Sequence, residues 1–286
     1  MSNKVTLKAY AKVNLSLDIT GKRADGYHLL DSVMQSVSLF DTVTVEKASD
    51  GIVIDCPVCG DRSNIAYKAS EMYLDAAGIA SGVRITVDKH IPVCGGLGGG
   101  SADCAATLLA LNGIFGAFTA DKLANMAGSL GADVPFCMVG GTARCRGIGE
   151  LIEPLPAIRG LYLVLISDGD KPSTGEMYRR IDGASALSHP DNGALSAEIA
   201  RGDLRAASAH MLNVFESVWE RTELDAKFAL LRLHGAFHCG LSGSGPTVFG
   251  LFDSRETAEN GAVSARKIYQ LVNICHAVES GCEIIE

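Results

Sequence analysis

The chain has 286 residues, 47% apolar and 20% charged, an ordinary globular composition with room for one large domain or two medium ones. Its net charge of −8 argues against nucleic acid or an anionic membrane as the main partner, so any phosphate must be held locally, by backbone amides and a few placed cations. No run reaches the length of a membrane span, MSNKVTLKAY has no apolar signal core, and nine cysteines without a secretory signal read as reduced thiols in a cytoplasm.

The first element is a strand over 5–19. Every odd position from Val5 to Ile19 is apolar and every even one can hydrogen-bond, so Lys12 and Asn14 share one face while the other packs a core. Taken alone, such a strand has a solvated outer face. Further strands are expected near 31–47, 51–55, 83–88, 142–146, 161–167, 246–252 and 273–279. Helices are expected near 63–77, 101–115, 121–130, 174–182, 194–220, 223–234 and 255–271. Strands and helices mix without regular βαβ alternation, which fits an α+β fold better than a doubly wound sheet. EPLPAIRG, at 153–160, is the expected joint between an N-terminal domain, 1–155, and a C-terminal one, 156–286.

After the fourth strand comes IPVCGGLGGGSADCAATLLALNGIF, residues 91–115, a glycine-rich loop that opens the second helix. Ser101 and Asp103 suit the N-cap and first turn of the helix. The glycines before them free the backbone to approach a ligand, and the helix start behind them offers unpaired N–H groups and the positive dipole end. That arrangement binds phosphate, although a purely structural turn has the same composition. Gly95 and Gly100 have the spacing of a P-loop, but Ser101 stands at its lysine position; a dinucleotide fingerprint counted from Gly96 and Gly98 also ends on Ser101 instead of glycine. Two other segments carry chemistry. CGLSGSGPTVFGLF (239–252) reads as a tight turn entering an apolar strand, and in SLGADVPFCMVGG (129–141) Asp133 either caps a turn or does chemistry. Cys56 and Cys59 form a lone CPVC with no second pair at metal spacing, a loop with redox or zinc binding as the lesser alternative.

Taken in order, AKVNLSL, PVCGGLGGGSADCAA and GLSGSGPTVF resemble the three signatures of the superfamily of galactokinase, homoserine kinase, mevalonate kinase and phosphomevalonate kinase. GKRADGYH and LGADVP point within it to the branch that phosphorylates a cytidine-diphosphate-linked methylerythritol in the non-mevalonate isoprenoid route. The resemblance runs from about Lys8 to the strand after Gly250 and is weak over 185–205. It departs at Cys94, where the family usually has a further glycine, a change expected to matter little, and at the CPVC loop, which is outside the pattern.

The resemblance implies two domains, an N-terminal one like ribosomal protein S5 domain 2 and a C-terminal ferredoxin-like one, with the active site in the cleft between them. It implies ATP and Mg²⁺ as cofactors, a small-molecule substrate, and no nucleic-acid or membrane partner. Asp133 matches the catalytic aspartate, a general base for the substrate's 2-hydroxyl, and Lys12 the lysine that holds that aspartate and the hydroxyl; Asn14 would fix the same group. Tyr27 and His28 match the residues that receive cytosine, by stacking and by hydrogen bonds. In DKPSTGEMYRR the second stacking aromatic corresponds to Tyr178, with Thr174 near the diphosphate. Gly96, Gly98, Gly99, Gly100 and Ser101 would cradle the ATP phosphates, Ser101 also lying near Mg²⁺, and Asn64 and Lys89 match positions near the nucleotide. The rival readings are a sister kinase of homoserine or mevalonate, which has no need of a cytosine reader, and a non-catalytic nucleotide-binding protein of the same fold, which gains nothing from a lysine–aspartate pair.

Overall fold

A computed structural model describes residues 2–169 and 173–286; Asp170, Lys171 and Pro172 of the DKPSTGEMYRR segment lie outside the described residues, as does Met1. The chain opens with two long antiparallel strands, β1 (Lys4–Lys22) and β2 (His28–Ala48), paired along nearly their whole length. Register shifts at Tyr10/Ala11, Asn14/Ser16 and Ile19/Gly21 let β1 twist and curl, as bulges do. The remaining N-terminal elements are β3 (Ile52–Asp55), α1 (Ile65–Ala77), β4 (Gly82–Asp88), α2 (Gly99–Phe115), α3 (Ala120–Leu130), α4 (Val134–Val139), β5 (Thr142–Gly147) and β6 (Leu151–Pro154). β2 is long enough to pair twice along one edge, with β4 over Thr42–Ala48 and with β5 over Leu30–Gln35. Helix α2 is buried on nearly every side among the sheet, α1 and α3, which explains why its sequence is apolar without an amphipathic stripe.

The second half forms β7 (Tyr162–Ile166), α5 (Thr174–Gly183), α6 (Asn192–Arg201), α7 (Leu204–Ser208), a 3-10 turn (Val214–Ser217), α8 (Arg221–Leu233), β8 (His238–Leu241), β9 (Val248–Phe252), α9 (Arg255–Ala265) and β10 (Val272–His276). Its antiparallel sheet has the order β10-β7-β9-β8. With helices between its first and second and between its third and fourth strands, this is the ferredoxin-like arrangement. The chain then crosses back, and β11 (Cys282–Ile284) adds an edge strand to β1, so residues past 281 belong to the first sheet.

Three sequence expectations are corrected. The helix over 194–220 is three short pieces. Gly202 ends α6 in the left-handed region at φ 77°, the Asp203 side chain caps α7, and Asn213 caps the 3-10 turn. Helix α2 starts at Gly99, inside the glycine loop, so Ser101 lies in its first turn and is not its N-cap. The even face of β1 is not solvated at the site: Lys12 is 3% exposed, under the glycine loop and Asp133, and Asn14 2%, under the Ser242–Gly243 turn of the second half.

Candidate active site

A cleft of about 750 Å³ separates the two sheets, its walls including Lys12, Asn14, Asn64, Lys89, Asp133, Thr174, Tyr178 and the loop Gly95–Ser101. β1 supplies the floor. Lys12 Nζ donates to Asn14 Oδ1 at 2.7 Å and lies 3.3 Å from Asp133 Oδ2. Asn14 is fixed on every side: its Nδ2 donates to Ser32 Oγ at 2.8 Å, and its Oδ1 also accepts from the Gly243 amide at 3.0 Å. Asp133 occupies the N-cap position of α4, with Pro135 in the first turn, yet its side chain makes no capping bond. It faces Lys12 and remains 29% exposed toward the cleft. Of the two sequence alternatives for Asp133, a side-chain cap is not what it forms.

The glycine loop is gripped from two sides. Leu97 O accepts from the Lys12 amide at 2.9 Å, Gly96 O from Ser242 Oγ at 2.9 Å, and Gly95 O from the Thr247 amide at 3.2 Å. A Cβ on Gly96 would lie 2.2 Å from Ser242 O, so that glycine is required by the approach of the 239–252 loop. Gly98 sits at φ 71°, and a Cβ there would stand 3.0 Å from Lys12 Cγ, so bareness at 98 makes room for the lysine stem. No side chain caps the helix that begins at Gly99, which leaves its first-turn amides open beside Gly100 and Ser101. Cys94 takes φ 56°, a conformation natural to the glycine usual there, at a cost of about 1–2 kcal/mol.

Lys89 closes the far wall between two carboxylates, donating to Asp41 Oδ2 at 2.5 Å and Asp103 Oδ2 at 2.7 Å. Asp41 Oδ1 also accepts from the amides of His90 and Ile91, which pins the start of the glycine loop to β2. One ammonium cannot neutralise both acids. Burial pushes the Asp103 carboxyl up against the pull of Lys89, and among the described residues its buried Oδ1 has no partner. Asn64 has both amide atoms engaged, accepting from the Ala66 amide as the cap of α1 and donating to Cys59 O. Cys56 and Cys59 border the same wall, with Cys59 Sγ 3.2 Å from Ser63 Oγ.

The opposite end is built by α5. Tyr178 packs edge-on to Phe215, ring centroids 5.2 Å apart, and burial pushes its hydroxyl up to about 12, with Asp133 adding to the shift. His28 stacks on Tyr178 at 4.5 Å, and Thr174 Oγ1 lies 3.4 Å from Ser244 Oγ. Tyr27 is not brought to the cleft: it is 62% exposed on the turn between β1 and β2. A cytosine sandwich between Tyr27 and Tyr178 is therefore not formed in this structure.

The model of the GHMP kinases N terminal domain matches residues 64–141 and that of the GHMP kinases C terminal matches 195–270. The chain belongs to the GHMP kinases. As a GHMP kinase it is a phosphotransferase, and ATP is the phosphoryl donor that membership implies. This kinase is 42% identical, over 95% of its own length and 99% of the relative's, to a protein of Clostridium botulinum named 4-diphosphocytidyl-2-C-methyl-D-erythritol kinase, and 41% identical at the same coverage to its namesake in Clostridium tetani. A crystal structure of 4-(cytidine 5'-diphospho)-2C-methyl-D-erythritol kinase superposes with a TM-score of 0.79 at 33% identity, covering 95% of this chain and 99% of that one. Homoserine kinase from Cytophaga hutchinsonii reaches the same TM-score at 22% identity, covering 100% and 98%, which speaks to the fold alone. Among the described residues of the kinase no helix is long and apolar enough to cross a membrane.

Sequence reasoning missed Ser32, Asp41, Asp103, Asn213 and the Ser242–Gly243 pair as parts of this site. Asn213 Nδ2 donates to Leu241 O and Gly243 O, which shapes the loop that reaches Asn14. Asp103, three residues after Gly100, and the Ser242–Gly243 pair, inside the 239–252 glycine cluster, carried a local signal; the others act across the fold.

Proposed function

We propose that this kinase transfers the γ-phosphoryl group of ATP to the 2-hydroxyl of 4-diphosphocytidyl-2-C-methyl-D-erythritol, the compound in its relatives' names, within the non-mevalonate isoprenoid route of the cytoplasm. One observation carries the reading: Asp133, free of any capping bond, faces a buried ammonium 3.3 Å away on the floor of the cleft. A carboxylate held there accepts the hydroxyl proton as the oxygen attacks the γ-phosphorus and ADP departs. Lys12 holds the carboxylate in place and, with donors to spare beyond Asn14, offsets charge developing on the transferred group. Asn14 orients Lys12. The work of such a site is positioning and charge neutralisation, which a fully bonded floor supplies.

Residues 1–155 hold ATP and residues 156–286 close the cleft, apart from β11. The first-turn amides of α2, with Gly98, Gly99, Gly100 and Ser101, cradle the phosphates; Gly96 supports that loop through its contact with Ser242, and Lys89 and Asn64 border the nucleotide wall. Mg²⁺ takes hard oxygen donors and keeps several waters, and the Ser101 hydroxyl at the helix start suits it as one ligand beside the phosphates themselves. Bound, it neutralises phosphate charge. Thr174 lies where a diphosphate would run, Tyr178 stacks the base, and His28 reads it; Tyr27 must fold in from solvent to add a second face.

The test is ATP consumption with four alcohols: 4-diphosphocytidyl-2-C-methyl-D-erythritol, homoserine, mevalonate and galactose. Turnover is expected with the first alone. Preferential turnover of homoserine or mevalonate would refute the reading, and binding of ATP with no turnover of any would make the protein a nucleotide binder.

A further inference from the structure

The β1–β2 hairpin is tied to α5 by one carboxylate that no part of the chemistry above uses. Asp182, in the last turn of α5, accepts from Lys22 Nζ on Oδ2 at 2.6 Å and meets His28 Nε2 on Oδ1 at 2.7 Å. Lys22 and His28 are cross-strand partners at the ends of β1 and β2. The same histidine lies flat on Tyr178, one turn earlier on α5, with an interplanar angle of 24°. Its ring plane and one of its two nitrogens are thus both fixed by α5. Among the described residues the other nitrogen, Nδ1, has no hydrogen-bond partner, and it is not among the polar atoms sealed from solvent.

We infer that Asp182 is a positioning residue for base selection: it fixes the His28 proton on Nε2 and leaves Nδ1 as an acceptor for the exocyclic amine of cytosine. This rests on the reading of the site as a cytidyl-substrate kinase. The hydrogen bonds from His28 and Lys22 hold the Asp182 carboxyl below its usual range, so at neutral pH it is ionised and can only accept. The nitrogen facing it must donate. In a neutral imidazole the proton on Nε2 leaves a lone pair on Nδ1, and the tautomer follows from the bond at the opposite nitrogen. A lone pair accepts from the 4-amino group of cytosine and repels the 4-oxo group of uracil. Lys22 occupies the second oxygen of Asp182, so the carboxylate is held from both sides. Asp182 is 38% exposed, and a pair so wet adds little to stability. Its value lies in orientation.

The experiment titrates the full chain with CDP and with UDP by calorimetry, for the wild type, Asp182→Ala and Asp182→Asn, and reads the His28 tautomer by long-range ¹H–¹⁵N correlation. The wild type is expected to prefer CDP by roughly 10- to 100-fold, the worth of an acceptor facing an acceptor in place of a donor, and to carry the Nε2–H signature. Asp182→Ala should bring the two affinities to within about threefold and mix the tautomers. Asp182→Asn, whose amide oxygen still accepts from Nε2, should restore much of both. An Asp182→Ala protein that keeps the CDP preference, whatever its tautomer, overturns the role of Asp182. A wild type that binds neither nucleotide while His28 carries its proton on Nε2 overturns instead the cytidyl reading, and with it the selection built on it.

Discussion

Asp133→Asn removes the one carboxylate within ion-pairing distance of Lys12 among the described residues. At 3.3 Å and an effective dielectric of about 20 the attraction lost is about 5 kcal/mol, part of which the relieved desolvation returns. Breaking a buried pair costs about 3–5 kcal/mol; the low end applies because Asp133 is 29% exposed while Lys12 is 3% exposed. The variant should therefore melt roughly 5–10 °C lower. It should also lose about 10²–10⁴ in kcat, the worth of a placed acid–base group. Adding Lys12→Met separates the two effects. The double variant has no stranded ammonium, so it should regain most of the melting temperature, yet its kcat should stay low and its loss should fall far short of the product of the single losses. Scanning fluorimetry reads the first quantity, and quenched-flow measurement of the chemical step the second. A chemical step within a few-fold of wild type in Asp133→Asn would refute the reasoning, because the charge would then have a structural task only. Multiplicative losses in the double variant would mean that Lys12 and Asp133 act independently.

Gly98→Ala should cost about 1–2 kcal/mol of stability from its left-handed backbone and push the Lys12 stem, lowering kcat more than it raises the KM for ATP; a pure KM effect would mean that the position serves phosphate alone. Tyr178→Ala should raise the KM for the cytidyl substrate by the equivalent of about 1–3 kcal/mol with ATP affinity little changed, and a variant altered only in stability would make Tyr178 a packing residue. Glu216 accepts from the Leu241 amide while burial pushes its carboxyl up to about 7 from the ordinary 4.5. A raised folded-state value means that the stability its protonated form contributes is complete below about 4.5 and is lost as the pH rises to about 7. Glu216→Gln should then gain on the wild type across that window, by a difference on the order of 3 kcal/mol above it, and a pH-independent difference in melting temperature would refute the assignment.

The long strands and helices were legible because one apolar face sets the period of each; the odd residues of β1 and the inner face of α1 are examples. The short pieces were not. α4 has six residues, β6 and β8 four each, and β11 three, too few for a period to emerge, and their pairing is decided by distant partners. The 194–220 segment misled because Gly202 and Asp203 punctuate an otherwise helical pattern that tertiary contacts then hold in pieces. At the site, the alternation of β1 put Lys12 and Asn14 on one face, and the family pattern pointed to Asp133. What stayed hidden were carboxylates with ordinary local surroundings. Asp41 and Asp182 stand 48 and 154 residues from the Lys89 and His28 side chains that give them meaning. The tasks of Gly96 and Gly98 were also invisible, since the neighbours that require them bare, Ser242 and Lys12, come from elsewhere in the chain.

The bonds that join the glycine loop to the 239–252 loop make a single block out of segments from both halves of the chain. Gly95, Gly96 and Leu97 are each anchored through a carbonyl, and Asn14 is stitched to Ser242 and Gly243 beneath them. Parting the halves along this seam would break all of these bonds together. At the other end of the cleft α5 meets the β1–β2 turn through the half-exposed Asp182 carboxylate, held by Lys22 and His28, and the stack of His28 on Tyr178, a far thinner seam.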